Sequence, residues 1–346
     1  MIGLLDDDAD RWRPHIKTVK LGAMMQLLTG CGVMNFKCAT SLELLAACQA
    51  GSRDVLVAYA HAGANAQRVA EIGWQYPHVR VSGLVENQAQ IAAWKDTPVS
   101  LFIDVNPGMN RTGIDHMHLE EITQLASAIR ESGVEFRGLH YYDGHISDDD
   151  LQLRTERAHA GYERLLKICG ALTNAGLQPG EVITAGTPAF PCALSFTQFR
   201  DPAFRHRVSP GTIVYNDTTS LKQLPGSFGF EPAVFVLSRV ISRPAPNRIT
   251  CDAGHKAVGV DAGVPNCVVQ DWPELKPLKP SEEHLPMELP EGGAAPEIGS
   301  YLQLLPKHVC PTVNNFDSAL LVENGKIASV EAVSARGHEG PLRPPQ

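Results

Sequence analysis

The chain has 346 residues and is 43% hydrophobic, enough for a large core in one domain or two. Its formal net charge is −8, with no basic cluster to offset it, which argues against a nucleic-acid partner. No apolar run approaches the roughly 20 residues of a membrane span. The start, MIGLLDDDADRW, is acidic where an export signal would be basic. A cytoplasmic protein with no membrane partner is expected, its eight scattered cysteines reduced.

Up to residue 212, short β-rich runs alternate with longer helical patterns. The runs are Trp12–Thr18, Val33–Cys38, Asp54–Ala58, Val79–Ser82, Val99–Asn106, Phe136–Tyr142, Val182–Gly186 and Arg207–Gly211. Amphipathic stretches such as Ser41–Ala50, Asn87–Trp94, His118–Ser132 and Leu151–Ala175 separate them. This alternation predicts an α/β chain with a (β/α)8 barrel of TIM type over residues 1–212, a doubly wound open sheet being the alternative. From 213 to 346 helical periodicity is scarce. Strands are expected at Glu231–Ile241, Ile249–Asp252, Ala257–Val260, Tyr301–Leu305, Ala319–Glu323 and Ile327–Ala335, with an irregular Pro-rich excursion over 272–297. This reads as a mostly antiparallel β domain.

Candidate chemistry gathers where barrel strands end, the side on which such barrels place their active sites. Lys17, in RPHIKT, ends the first run. A lysine against apolar barrel walls can have a depressed pKa and form a Schiff base, although a solvent-reaching lysine explains the position alone as well. Arg111, in DVNPGMNRTG, sits in a Gly-bounded loop after the fifth run, where a guanidinium suits an anionic oxygen or simply decorates a turn. Thr187 in AGTP, and Gly211 and Thr212 in SPGT, end the seventh and eighth runs, the corner where barrels hold phosphate. His140, Tyr141, Tyr142 and His145 cluster in LHYYDGH, as rings against a planar ligand or as rim side chains. His308 and Cys310 would share one face of a strand, a good donor pair for zinc or a buried cysteine beside a histidine. Ser281-Glu282-Glu283-His284 adds two acids and an imidazole in one loop.

Seven segments, RPHIKT, DVNPGMNRTG, LHYYDGH, AGTP, SPGTIVYND, SEEH and HVCPTVNNFD, occur in an order that resembles the D-threonine aldolase and D-serine dehydratase group. That group lies among the fold-type III pyridoxal-phosphate enzymes of the alanine racemase superfamily, and the likeness runs from about Asp10 to Gly337. The resemblance implies that Lys17 holds pyridoxal 5'-phosphate as a Schiff base and serves as base at the α-carbon. It implies that Arg111 contacts the ring's phenolic oxygen and that His140 lies near the ring face with a catalytic role. Thr187, Gly211 and Thr212 would bind the phosphate, with Tyr215 nearby. His308 and Cys310 would hold a divalent metal whose open positions take the substrate. Zinc suits a thiolate, and manganese or magnesium are alternatives. His284 would touch the substrate or support the metal.

The implied activity is lysis of a D-3-hydroxy amino acid, with retro-aldol cleavage to glycine and an aldehyde. The alternative is dehydration of D-serine or D-3-hydroxyaspartate to a 2-oxo acid and ammonia. A racemase or a non-catalytic cofactor carrier are further readings. A homodimer is expected. Two departures stand out. Resembling chains place a strand and a helix ahead of the RPH segment, where this sequence has about a dozen residues. Aldolases also tend to carry aspartate where Cys310 stands, a dehydratase-like choice, whereas LHYYDGH and VNNFD look aldolase-like.

Overall fold

A computed structural model describes residues 1–200, 203–292 and 294–340. Two compact units emerge, Met1–Gly211 joined by the described residues from Gly337 onward, and Thr212–Arg336.

The first unit is a parallel barrel. Its strands are β1 (Asn35–Cys38), β2 (Asp54–Val57), β3 (Arg80–Val85), β4 (Ser100–Asn106), the short β5 (Ile114–Asp115), β6 (Phe136–Tyr141), β7 (Glu181–Thr184) and β8 (Arg205–Val208). Pairing runs β1-β2-β3-β4-β6-β7-β8, with β5 attached to β4 alone. The ring closes through the extended segment 12–16. Trp12 bridges Val208 on one side and His15 bridges Lys37 on the other, both in parallel sense. Outside lie α1 (Gly22–Gly30), α2 (Ser41–Gln49), α3 (Gly63–Gln75), α4 (Leu119–Glu131), the long α5 (Leu151–Asn174) and α6 (Phe190–Ser195). The expected Asn87–Trp94 helix is a 3-10 stretch, Gln88–Trp94.

Local chemistry sets the helix starts. Thr40 accepts the Glu43 N–H at 3.1 Å while Glu43 accepts the Ala39 N–H at 2.7 Å, a reciprocal cap on α2. Asp150 caps α5 through the Leu153 N–H at 2.9 Å.

Two layers fill the barrel. One is apolar, built from Leu56, Leu84, Phe102 and Ile183. The other is ionic. Fully buried Arg13 donates to Glu181 at 2.8 Å and to Asp54 at 3.0 Å. Arg137 joins the same two carboxylates at 2.8 and 2.9 Å, and Arg207 adds an ion pair to Glu181 at 2.5 Å. Burial works against Asp54's charge, but Arg13 and Arg137 hold its carboxyl well below the usual range.

The second unit carries an antiparallel sheet ordered β11-β14-β9-β10-β13-β12, formed by β9 (Val236–Ala245), β10 (Arg248–Cys251), β11 (Cys267–Val269), β12 (Lys276–Pro277), β13 (Leu285–Glu288) and β14 (Tyr301–Pro306). Along β9, Val236, Ser238 and Val240 are buried and their neighbours Leu237, Arg239 and Ile241 exposed, the period of a sheet with one face on a core. Ile249, Cys251, Leu285, Met287, Leu302 and Leu304 complete that core. Strands β15 (Ser318–Glu323) and β16 (Lys326–Ala332) form a separate hairpin. Short helices α7 (Thr218–Gln223) and α8 (Val309–Val313) are also present.

Three expectations need correction here. Ala257–Val260 is not a strand. The Ala257 and Val258 N–H groups both turn back to the Gly254 carbonyl at 3.0 Å. The 272–297 excursion is not wholly irregular, since β12 and β13 lie within it. The sequence His308-Val309-Cys310 is not on a strand. β14 stops at Pro306 and His308 caps α8, so the alternating-face argument for the pair fails.

Candidate active site

Lys17 leaves the barrel where the first segment stops being extended. The Ile16 N–H still pairs with the Lys37 carbonyl at 2.8 Å, and the Lys20 N–H then turns back to the Ile16 carbonyl at 3.0 Å. Lys17 sits in that turn with its side chain exposed. Its backbone N–H meets His15 Nδ1 at 3.3 Å.

His140 is the penultimate residue of β6. Its Nδ1 lies 2.7 Å from Asp104 Oδ1, and Asp104 Oδ2 accepts the Thr112 hydroxyl at 2.8 Å. Burial opposes the Asp104 charge, but the bonds from His140 and Thr112 and the nearby Arg111 keep this carboxyl below its usual value. Burial, then the Lys37 charge, push His140 down against the pull of Asp104. A carboxylate can only accept, so the hydrogen between Asp104 and His140 is assigned to His140 Nδ1.

Arg111 is held by the loop after β4. Asn106 Oδ1 accepts the Gly108 and Asn110 N–H groups at 2.9 and 3.0 Å. Gly113, at φ +94°, packs where a Cβ would lie 2.9 Å from the Asn106 nitrogen. The Arg111 guanidinium stands 4.8 Å from the centre of the Tyr142 ring and the Lys37 ammonium 5.4 Å from it. Lys17, Lys37, His140 and Arg111 all act on His15, which burial and these charges together hold well below the ordinary histidine value.

At the opposite corner, Thr187 is buried beyond β7, and the Gly186 N–H donates to Asp143 Oδ1 at 3.3 Å. Burial raises Asp143 to about 6, against the bond it accepts from the Tyr162 hydroxyl at 2.6 Å. Gly211 follows β8 in contact with the first segment, where a Cβ would sit 2.2 Å from the His15 carbonyl oxygen. Between them, the Ser209 hydroxyl is buried with no hydrogen-bond partner among the described residues. An orphaned hydroxyl beside a backbone that only glycine tolerates fits a phosphate. An exposed amine at Lys17, a guanidinium at Arg111 and an imidazole at His140 fit the remaining parts of pyridoxal phosphate.

The other expected residues belong to the second unit. Thr212 opens a 3-10 turn, Thr212–Val214, and Tyr215 is buried directly after it, its N–H on the Thr212 carbonyl at 3.1 Å. His308 Nδ1 meets Asp261 Oδ2 at 2.5 Å, and the imidazole also bonds the Cys310 thiol. The pair is therefore close, although the helix start and not a strand brings it together. A thiol and an imidazole with a carboxylate behind the ring are a fitting donor set for a soft divalent ion. Among the described residues no group of three His, Cys, Asp or Glu side chains could hold a metal. His284 is exposed, and the acids of its loop pair with Lys256, through Glu282 at 2.8 Å and Glu283 at 2.9 Å.

Lys37, Asp104, Asp143 and Asp261 were not anticipated. A lysine inside a four-residue buried strand was the available signal for Lys37, because such a charge needs a reason. Among the described residues no disulfide links any of the eight cysteines.

The fold and this barrel mouth define an enzyme of the alanine racemase type. A family model described as "Alanine racemase, N-terminal domain" matches residues 7–219, and one described as "Putative serine dehydratase domain" matches residues 233–322. The chain belongs to the alanine racemase N-terminal domain family, in the D-threonine aldolase and D-serine dehydratase group of fold-type III pyridoxal-phosphate enzymes. It is 27% identical over 349 residues to a D-threonine aldolase of Arthrobacter sp, covering 94% of this chain and 85% of that one. A 3-hydroxy-D-aspartate aldolase of Paracoccus denitrificans is 28% identical over 265 residues, which span 73% of this chain and 65% of that protein. The crystal structure of D-threonine aldolase from Filomicrobium marinum superposes with a TM-score of 0.87 at 25% identity, over 97% of this chain and 91% of that one. D-threo-3-hydroxyaspartate dehydratase from Delftia sp. HT23 shares the fold, with a TM-score of 0.79 at 20% identity over 98% and 93%. No helix among the described residues is long and apolar enough to cross a membrane.

Proposed function

We propose that this protein is a pyridoxal-phosphate and metal-dependent lyase that cleaves D-3-hydroxy amino acids to glycine and an aldehyde. The observation that carries this reading is the convergence at one barrel mouth of an exposed amine, Lys17, with Arg111 and the Asp104-bound imidazole of His140. When bound, the cofactor supplies an electron sink for the α-carbon. Lys17 would hold the cofactor aldehyde and supply the proton that takes the place of Cβ on the α-carbon. Arg111 would meet the ring's phenolic oxygen and His140 would lie against its face. Thr187, Ser209 and Gly211 hold the phosphate, with Thr212 and Tyr215 next along the chain. His308 and Cys310 hold a divalent ion, zinc by the softness of the thiolate, which supplies a Lewis acid for the β-hydroxyl. Asp261 orients His308.

Dehydration to a 2-oxo acid and ammonia is the second reading, favoured by cysteine at position 310. Incubation with D-threonine, D-serine and L-threonine, with and without zinc or manganese, tests both. Glycine and acetaldehyde from D-threonine alone support the aldolase. A 2-oxo acid with ammonia and no glycine replaces it with the dehydratase, and no product from any substrate removes the lyase reading.

A further inference from the structure

The lyase reading leaves Lys37 without a task. This residue lies between Phe36 and Cys38 on β1 and is 2% exposed. Its Nζ is 3.4 Å from His140 Nε2, on the far side of the ring from Asp104. A carboxylate can only accept, so His140 Nδ1 carries the hydrogen, and its Nε2 offers a lone pair that only a donor can satisfy. Lys37 is that donor. The acids nearest to it are engaged elsewhere, Asp104 by His140 and Thr112 and Asp143 by Tyr162 and Gly186.

We propose that Lys37 is a positioning residue for His140, donating to Nε2 while Asp104 accepts from Nδ1–H, and so fixing the tautomer and tilt of this ring in the barrel mouth. The inference rests on the lyase reading for its consequence, the ring's place against the cofactor, and on the distances alone for its geometry. The groups facing the pair are His15 and Lys17 from the first segment, Asp104 and Arg111 from β4 and its loop, and Tyr142 and Asp143 beyond β6. Burial, then the Lys17 charge, bring Lys37 down to about 7. If the proton moves from Nζ to Nε2, ammonium becomes amine and imidazole becomes imidazolium, with no net charge gained or lost.

The test is nitrogen-15 NMR of histidine-labelled protein, with and without pyridoxal phosphate, the His140 signal being assigned by its loss in His140→Gln. The wild type should show a neutral His140 with its hydrogen on Nδ1. In Lys37→Met the like charge is gone and Asp104 remains, so the protonation midpoint of His140 should rise by about one pH unit or more. In Lys37→Arg the guanidinium stays charged, and His140 should remain neutral with the same tautomer. A wild-type hydrogen on Nε2, or one midpoint shared by wild type and Lys37→Met, would overturn the proposal. If Lys37→Met fails to fold, the wild-type tautomer and the arginine variant decide, and a protonated or Nε2–H ring in that variant overturns it. These shifts without any lyase product would retire the function and leave the Lys37 assignment standing. Lyase product without the shifts would do the reverse.

Discussion

Replacing Gly211 by alanine probes the barrel mouth without touching a reactive group. The new Cβ would lie 2.2 Å from the His15 carbonyl oxygen and 3.0 Å from its carbonyl carbon. Comfortable contact begins near 3.5 Å, so the two strands must part by roughly 1 Å. The obstacle is backbone and cannot rotate aside. The opening separates the segment that leads into Lys17 from the turn after β8, where phosphate is proposed to bind. Overpacking of this kind costs roughly 1–3 kcal/mol, and a displacement of about 1 Å in a reacting group costs about 10²-fold in rate. Gly211→Ala should therefore melt lower and bind pyridoxal phosphate more weakly, as read by the quenching of protein fluorescence. Gly170→Ala is the control. That glycine is exposed on α5 with nothing within 4 Å of its Cβ, and alanine there should stabilise by about 0.5–1 kcal/mol. Wild-type cofactor affinity in Gly211→Ala would refute the reasoning.

Asp54→Ala should remove about 3–5 kcal/mol from the barrel by leaving Arg13 and Arg137 buried and underpaired, measurable by urea unfolding near neutral pH. Asp54's folded pKa is depressed, so its contribution is full above the unfolded value and is lost as pH falls below about 4. The gap between variant and wild type should shrink over that range, and a gap that widens on acidification would contradict the sign. Cys310→Ala should abolish lyase turnover while leaving the visible absorption of the bound cofactor and slow exchange of the substrate α-proton. Loss of the absorption would make Cys310 structural.

The barrel was legible because each stave is a short apolar run set between helical periods, a local signal. Even the first stave, whose bridges to its neighbours are the isolated ones at Trp12 and His15, stood out in RPHIKT. The ionic layer was not legible. Arg13 looks like part of a site motif, and its partner Glu181 lies 168 residues away. Lys37 was missed because a four-residue strand offers too little pattern for one charge to contradict. His308 and Cys310 were identified through the wrong element. A proline in the first turn, Pro311, marks a helix start, and it outweighs the β-prone residues before it. The closeness of the pair survives this change because both side chains leave the same capping turn. Asp261 has no sequence signal, since 47 residues separate it from His308.

The account turns on which amine carries the cofactor, and two lysines face that mouth. Borohydride reduction of the protein loaded with pyridoxal phosphate, followed by peptide mapping, reads this directly. The account predicts a pyridoxyl group on Lys17 and loss of the labelled peptide in Lys17→Ala. A pyridoxyl group on Lys37, or no label on any lysine, would contradict it.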